Sequence, residues 1–126
     1  MKHIVCLAVL LITGLNAFAQ DQKDKLAIDT TQVSYVELVK VNFESPTTSL
    51  TKKLNKAQYA DLAIKWNTSK KLGADKYKMK YYVYVYLKNG KKRQFTISDN
   101  KIQEEDWLTF DLTDKTYFDK LWNAAK

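Results

Sequence analysis

Apolar positions along the chain repeat with two different periods, and the changes between them mark the elements. Residues 33–44 (VSYVELVKVNFE) are rich in β-branched and aromatic side chains and predict a strand. Their parity switches: Val36 and Leu38 fall on one face, Val39, Val41 and Phe43 on the other, which predicts a β-bulge near Glu37–Leu38. The run Ser45-Pro46-Thr47-Thr48-Ser49 reads as a loop, because proline cannot donate to a sheet ladder. From Asn55 the period lengthens. Asn55 is a good N-cap, Gln58 can complete a capping box, and Leu54 and Tyr59 have the spacing of a hydrophobic staple. Tyr59, Leu62, Ala63 and Trp66 recur at i, i+3, i+4 and i+7, which is one helical face. Gly73 reads as the stop, with Lys70 and Lys71 in the last turn.

Residues 78–98 (KMKYYVYVYLKNGKKRQFTIS) predict a hairpin around Asn89-Gly90. Loop length decides which side chains share a face, since a slip of one residue inverts them all. A two-residue loop sets Tyr81, Val83 and Val85 beside Ser98, Thr96 and Gln94, mixing apolar with polar. A three-residue loop, Lys88-Asn89-Gly90, sets Val83 opposite Phe95 and Tyr81 opposite Ile97, with Gly90 in the left-handed position. The apolar side chains then gather on one side, so the three-residue loop is the expectation. A turn follows at Asp99-Asn100. One further strand is predicted within residues 102–112, where Leu108, Phe110 and Leu112 alternate. Thr113 or Asp114 then caps a last helix striped by Tyr117, Phe118, Leu121 and Trp122. The fold class expected is α+β: an antiparallel sheet of about four strands, in the order β-α-β-β-β-α, with helices packed on one face.

The amino terminus changes the chemical picture. Lys2, the apolar run from Ile4 to Leu15, and Ala17-Phe18-Ala19 are the three parts of a cleavable signal peptide over residues 1–19. The apolar run is short of the ~20 residues a spanning helix needs. The expected organisation is therefore a signal peptide, a flexible lead-in over 20–32, and a single domain over 33–126, exported to the periplasm or the exterior. No transmembrane segment is expected in the mature chain. Cleavage would remove His3 and Cys6, the one His and the one Cys of the sequence. Imidazole- and thiol-based catalysis, and metal sites built on nitrogen or sulfur ligands, then lose their donors. No catalytic residue, metal or cofactor is assigned.

Charge is segregated. Residues 50–101 hold thirteen Lys and one Arg against three Asp, while residues 102–126 hold three Lys against six acids. A basic block of this kind suits an anionic partner: an acidic protein, a glycan or another envelope component, with nucleic acid ranked last because the chain is exported. The three-residue turn gives that block a surface. With the valines inward, Lys78, Lys80, Tyr82, Tyr84 and Tyr86 face out, joined by Lys92 from the second strand, and Trp107 is a further candidate anchor. Several readings of this ladder compete, among them that the lead-in segment or a helix covers it. In one it is a binding or inhibitory surface; in another it is an ordinary outer face, with tyrosines shielding the backbone and lysines blocking edge association, or a surface buried in an envelope complex. Glu104 and Asp106 are the same-face pair of the acidic run 104–106 and carry a minor alternative, a carboxylate-based hydrolase. The geometry also sets Arg93 opposite Asp106 as an ion pair.

Overall fold

The computed structural model describes residues 25–41, 50–73, 78–105 and 108–126. The chain is α+β, and the described residues form two α-helices and one seven-stranded antiparallel sheet. The strands are β1 (Val33–Lys40), β2 (Leu50–Leu54), β3 (Lys70–Gly73), β4 (Tyr81–Leu87), β5 (Lys92–Ser98), β6 (Lys101–Glu104) and β7 (Thr109–Asp111). Helix α1 spans Lys56–Asn67 and α2 spans Tyr117–Ala124. Across the sheet the order is β2-β1-β4-β5-β6-β7-β3.

The β4–β5 hairpin turns through three residues. The Leu87 amide donates to the Lys91 carbonyl at 2.8 Å, and Gly90, at φ +86°, takes the left-handed position. Tyr81 pairs with Ile97 and Val83 with Phe95. Tyr81, Val83, Val85, Phe95 and Ile97 are accordingly buried, while Tyr82, Tyr84 and Tyr86 are half-buried on the opposite face. The capping box of α1 is also formed: the Gln58 amide donates to Asn55 Oδ1 and the Asn55 amide to Gln58 Oε1, both at 2.8 Å.

Several local expectations need correction. The sheet has seven strands, not about four, because β2 and β3 carry almost no apolar alternation and form only by pairing at the two sheet edges. The strand expected within residues 102–112 is two strands, folded back so that Ile102 pairs with Phe110, with Glu105 at φ +50° where the reversal begins. Helix α1 ends at Asn67, not near Gly73. The Thr68 hydroxyl and amide both return to the Ile64 carbonyl, and Ser69 Oγ caps the Trp66 carbonyl, which releases Lys70 and Lys71 to pair with β7. The bulge of β1 lies between Val33 and Tyr35, not at Glu37–Leu38. Val33, Val36 and Leu38 are then all buried, and Tyr35, Glu37 and Val39 share the other face. Residues 42–44, expected to extend this strand, lie outside the described residues.

Both helices meet the buried face. Trp66 of α1 makes T-shaped contacts with Phe95 and Phe110, its ring centroid 5.0 and 5.1 Å from theirs. Phe118 and Trp122 of α2 pack on Tyr81, and the Tyr117 hydroxyl donates to Asp61 of α1 at 2.8 Å. Helix α2 begins at Tyr117, later than a Thr113 or Asp114 cap implies; Asp114 Oδ1 instead accepts the Thr116 amide in the preceding turn. Residues 25–32, read from sequence as part of a flexible lead-in, are bound to the body. Ile28 is buried, and Asn67 clamps it by accepting its amide at 2.8 Å and donating to its carbonyl at 3.1 Å.

Candidate functional site

The face away from the helices is organised by three registered rows. Lys53, Glu37, Tyr84 and Gln94 stand side by side on β2, β1, β4 and β5. Tyr35, Tyr86 and Lys92 form the next row, and Thr51, Val39, Tyr82, Thr96 and Gln103 form the third. Of the residues anticipated for a binding surface, Tyr82, Tyr84, Tyr86 and Lys92 are thus brought together. Lys78 is exposed but precedes β4. Lys80 is bonded to Asp99 at 2.5 Å, beyond the row of Tyr82. Trp107 and Asp106 lie outside the described residues. Tyr35, Glu37 and Lys53 complete the surface and were missed. The alternation of Tyr35, Glu37 and Val39 is present in the sequence, but the pairing of β1 with β4 is not.

The rings are packed on one another. Tyr35 and Tyr86 stack with centroids 4.3 Å apart and planes 15° from parallel. The Lys53 ammonium lies 4.8 Å from the Tyr35 centroid, and Lys92 lies 4.7 Å from Tyr84 and 5.9 Å from Tyr86. Tyr82 runs nearly parallel to Tyr84 at 6.1 Å. Aromatic stacking and cation–π contacts each contribute about 0.5–1 kcal/mol at such partly exposed positions. They also occupy ring faces. An approaching molecule therefore meets ring edges, phenol hydroxyls and ammonium groups, a set dominated by hydrogen-bond donors.

Glu37 is the acceptor within this set. A hydrogen bond to its carboxylate, followed by partial burial and the nearby negative charge, pushes the Tyr86 phenol up to about 12. Burial, then Tyr82 and Glu37, also raise the Tyr84 phenol. A raised phenol pKa means the fold favours the neutral ring. That contribution is complete below the ordinary phenol value near 10 and is lost as pH rises through about 12. Phenolate absorbance should show several late-titrating tyrosines, among them Tyr86, and Glu37→Gln should bring the Tyr86 component back toward 10. An unchanged titration in that variant would remove Glu37 as the cause.

Of the acidic run 104–106, Glu104 is engaged in an ion pair, and Asp106, the other member of the pair a hydrolase would use, lies outside the described residues. Glu104 gives one oxygen to Arg93 Nε and the other to Arg93 Nη2, each at 2.7 Å. Among the described residues the partner of Arg93 is Glu104, which the guanidinium reaches diagonally across β5–β6; Asp106, the partner expected from strand geometry, lies outside the described residues. Among the described residues, no group of three His, Cys, Asp or Glu side chains has the geometry to hold a metal ion, and no helix is long and apolar enough to cross a membrane. Comparisons with protein-family models, with curated proteins and with solved structures yield no match.

Proposed function

We propose that this is an exported, non-enzymatic binding module that recognises an anionic partner, an acidic protein or glycan of the envelope, through the Tyr/Lys face of β1, β2, β4 and β5. The observation that carries this reading is the stack Lys53–Tyr35–Tyr86 with Lys92 over Tyr84. It holds two ammonium groups and several phenols in fixed positions on one flat surface. Preordered donors lose little side-chain entropy on meeting oxyanions, and clustered lysines accelerate encounter with a negative partner. Lys78 and Lys80 act as the outlying positive charges in this scheme, with Lys80 attenuated by Asp99.

Affinity capture from envelope extracts on the mature chain tests the reading. The captured partner should bind the Lys53→Glu/Lys92→Glu variant about tenfold or more weakly, with a flatter salt dependence. A Tyr82/Tyr84/Tyr86→Ser variant should lose comparable affinity while remaining folded. Equal binding by all three proteins retires the proposal. A persistent oligomer that protects these tyrosines from modification would instead make the face a subunit contact of an envelope complex.

A further inference from the structure

On the opposite side of the sheet, the end of α1 surrounds a single ammonium group. Lys25 Nζ donates to the carbonyls of Trp66 at 3.0 Å, Asn67 at 3.1 Å and Ser69 at 2.9 Å. The same nitrogen lies 4.9 Å from the Phe110 centroid and 5.6 Å from that of Trp66. Three carbonyls match the three N–H donors of a primary ammonium, with Ser69 Oγ a longer fourth contact at 3.4 Å; the helix terminus supplies negative potential, and two ring faces supply more. The segment that delivers Lys25 is read along its backbone. Trp66 Nε1 and Arg93 Nη2 donate to the Leu26 carbonyl at 2.9 and 2.7 Å, Arg93 Nη1 donates to that of Ala27 at 2.9 Å, and Asn67 clamps Ile28.

This is how a protein holds an extended peptide: main-chain groups are bonded by fixed side chains, one side chain enters a site lined by carbonyls and rings, and another is buried. We infer that the C-terminal end of α1, with Trp66 and Phe110, is a primary-ammonium site, and that Lys25 is its occupant in cis. The ligand class is a primary alkylammonium carried on an extended segment. A quaternary ammonium satisfies the rings but leaves the three carbonyls without donors, and a guanidinium has a planar fork where the acceptors call for a compact tripod.

Chemical rescue in the full mature chain tests the assignment. Lys25→Ala removes three methylenes and the nitrogen, the size of n-propylammonium. The substitution should lower the urea midpoint. Millimolar n-propylammonium should then restore at least half of that loss in the variant, by binding the folded state alone, while leaving the parent protein unchanged. Tetramethylammonium at equal ionic strength should restore nothing. If Lys25→Ala does not fold, Lys25→Met keeps the stem and is measured for loss of midpoint alone. No loss on removing the ammonium, an equal response to both cations, or an equal response of parent and variant would overturn the inference.

Discussion

Arg93→Ala should destabilise the protein by about 2–4 kcal/mol, somewhat less than the ~3–5 kcal/mol of a fully buried ion pair because this one is part-buried. The guanidinium and the Glu104 carboxylate are only 11% and 17% exposed, so solvent screens them little. The guanidinium makes two bonds of 2.7 Å to the carboxylate and two more to the Leu26 and Ala27 carbonyls. Truncation leaves the Glu104 carboxylate without its partner and poorly solvated, and deprives residues 25–32, which form a strap over the end of α1, of two donors. Arg93→Lys should also be costly, since a single ammonium cannot reproduce the fork. The double variant Arg93→Met/Glu104→Leu separates pair energy from unpaired charge. It should recover most of the loss, because an apolar replacement removes both charges together. Urea unfolding of the three proteins measures the cost. A loss below ~1 kcal/mol for Arg93→Ala would show that water reaches Glu104 freely.

Trp66→Ala should cost a similar amount, about 3–5 kcal/mol, through the cavity left behind. Trp66 is 1% exposed and joins three parts of the molecule: Phe95 and Phe110 on the sheet, helix α1, and the strap through its bond to Leu26. Small domains hold only about 5–15 kcal/mol in total, so the variant should be partly unfolded at ordinary temperature. Trp66→Phe keeps most of the volume and should lose far less, and the Leu26 carbonyl would retain its bond from Arg93. Hydrogen exchange at the Ile28 amide, which is held by Asn67 one residue along α1, should rise in Trp66→Ala. Unchanged protection there would mean that the strap is anchored independently of the indole.

Much of the candidate surface was legible because it follows from one local choice. The three-residue turn at Lys88–Gly90 fixes the register of β4 on β5, and with it the outward direction of Tyr82, Tyr84, Tyr86 and Lys92. The partners that order those rings were not legible. Tyr35, Glu37 and Lys53 reach the site through β1 and β2, which are remote in sequence from the hairpin. Lys80 could be placed on the hairpin's outer parity, but its pairing with Asp99 depends on how the β5–β6 turn folds back. The same holds on the other face, where a lysine in a polar lead-in gives no sign that it will cap a helix more than forty residues away.

Sequence by itself determined the α+β class, the start of α1 with its Asn55–Gln58 box, the hairpin register, the core stripe of α2 and the concentration of lysine in the middle of the chain. Each of these rests on interactions between residues close in sequence, where backbone period, capping and turn chemistry act directly. Tertiary structure alone decided the seven-strand order, the edge strands β2 and β3, the choice of Glu104 for Arg93, the stack on the outer face and the ammonium cage under the strap. Those depend on which distant segments come together. That outcome is set by the total burial of apolar surface and the pairing of every buried polar group, which no local pattern encodes.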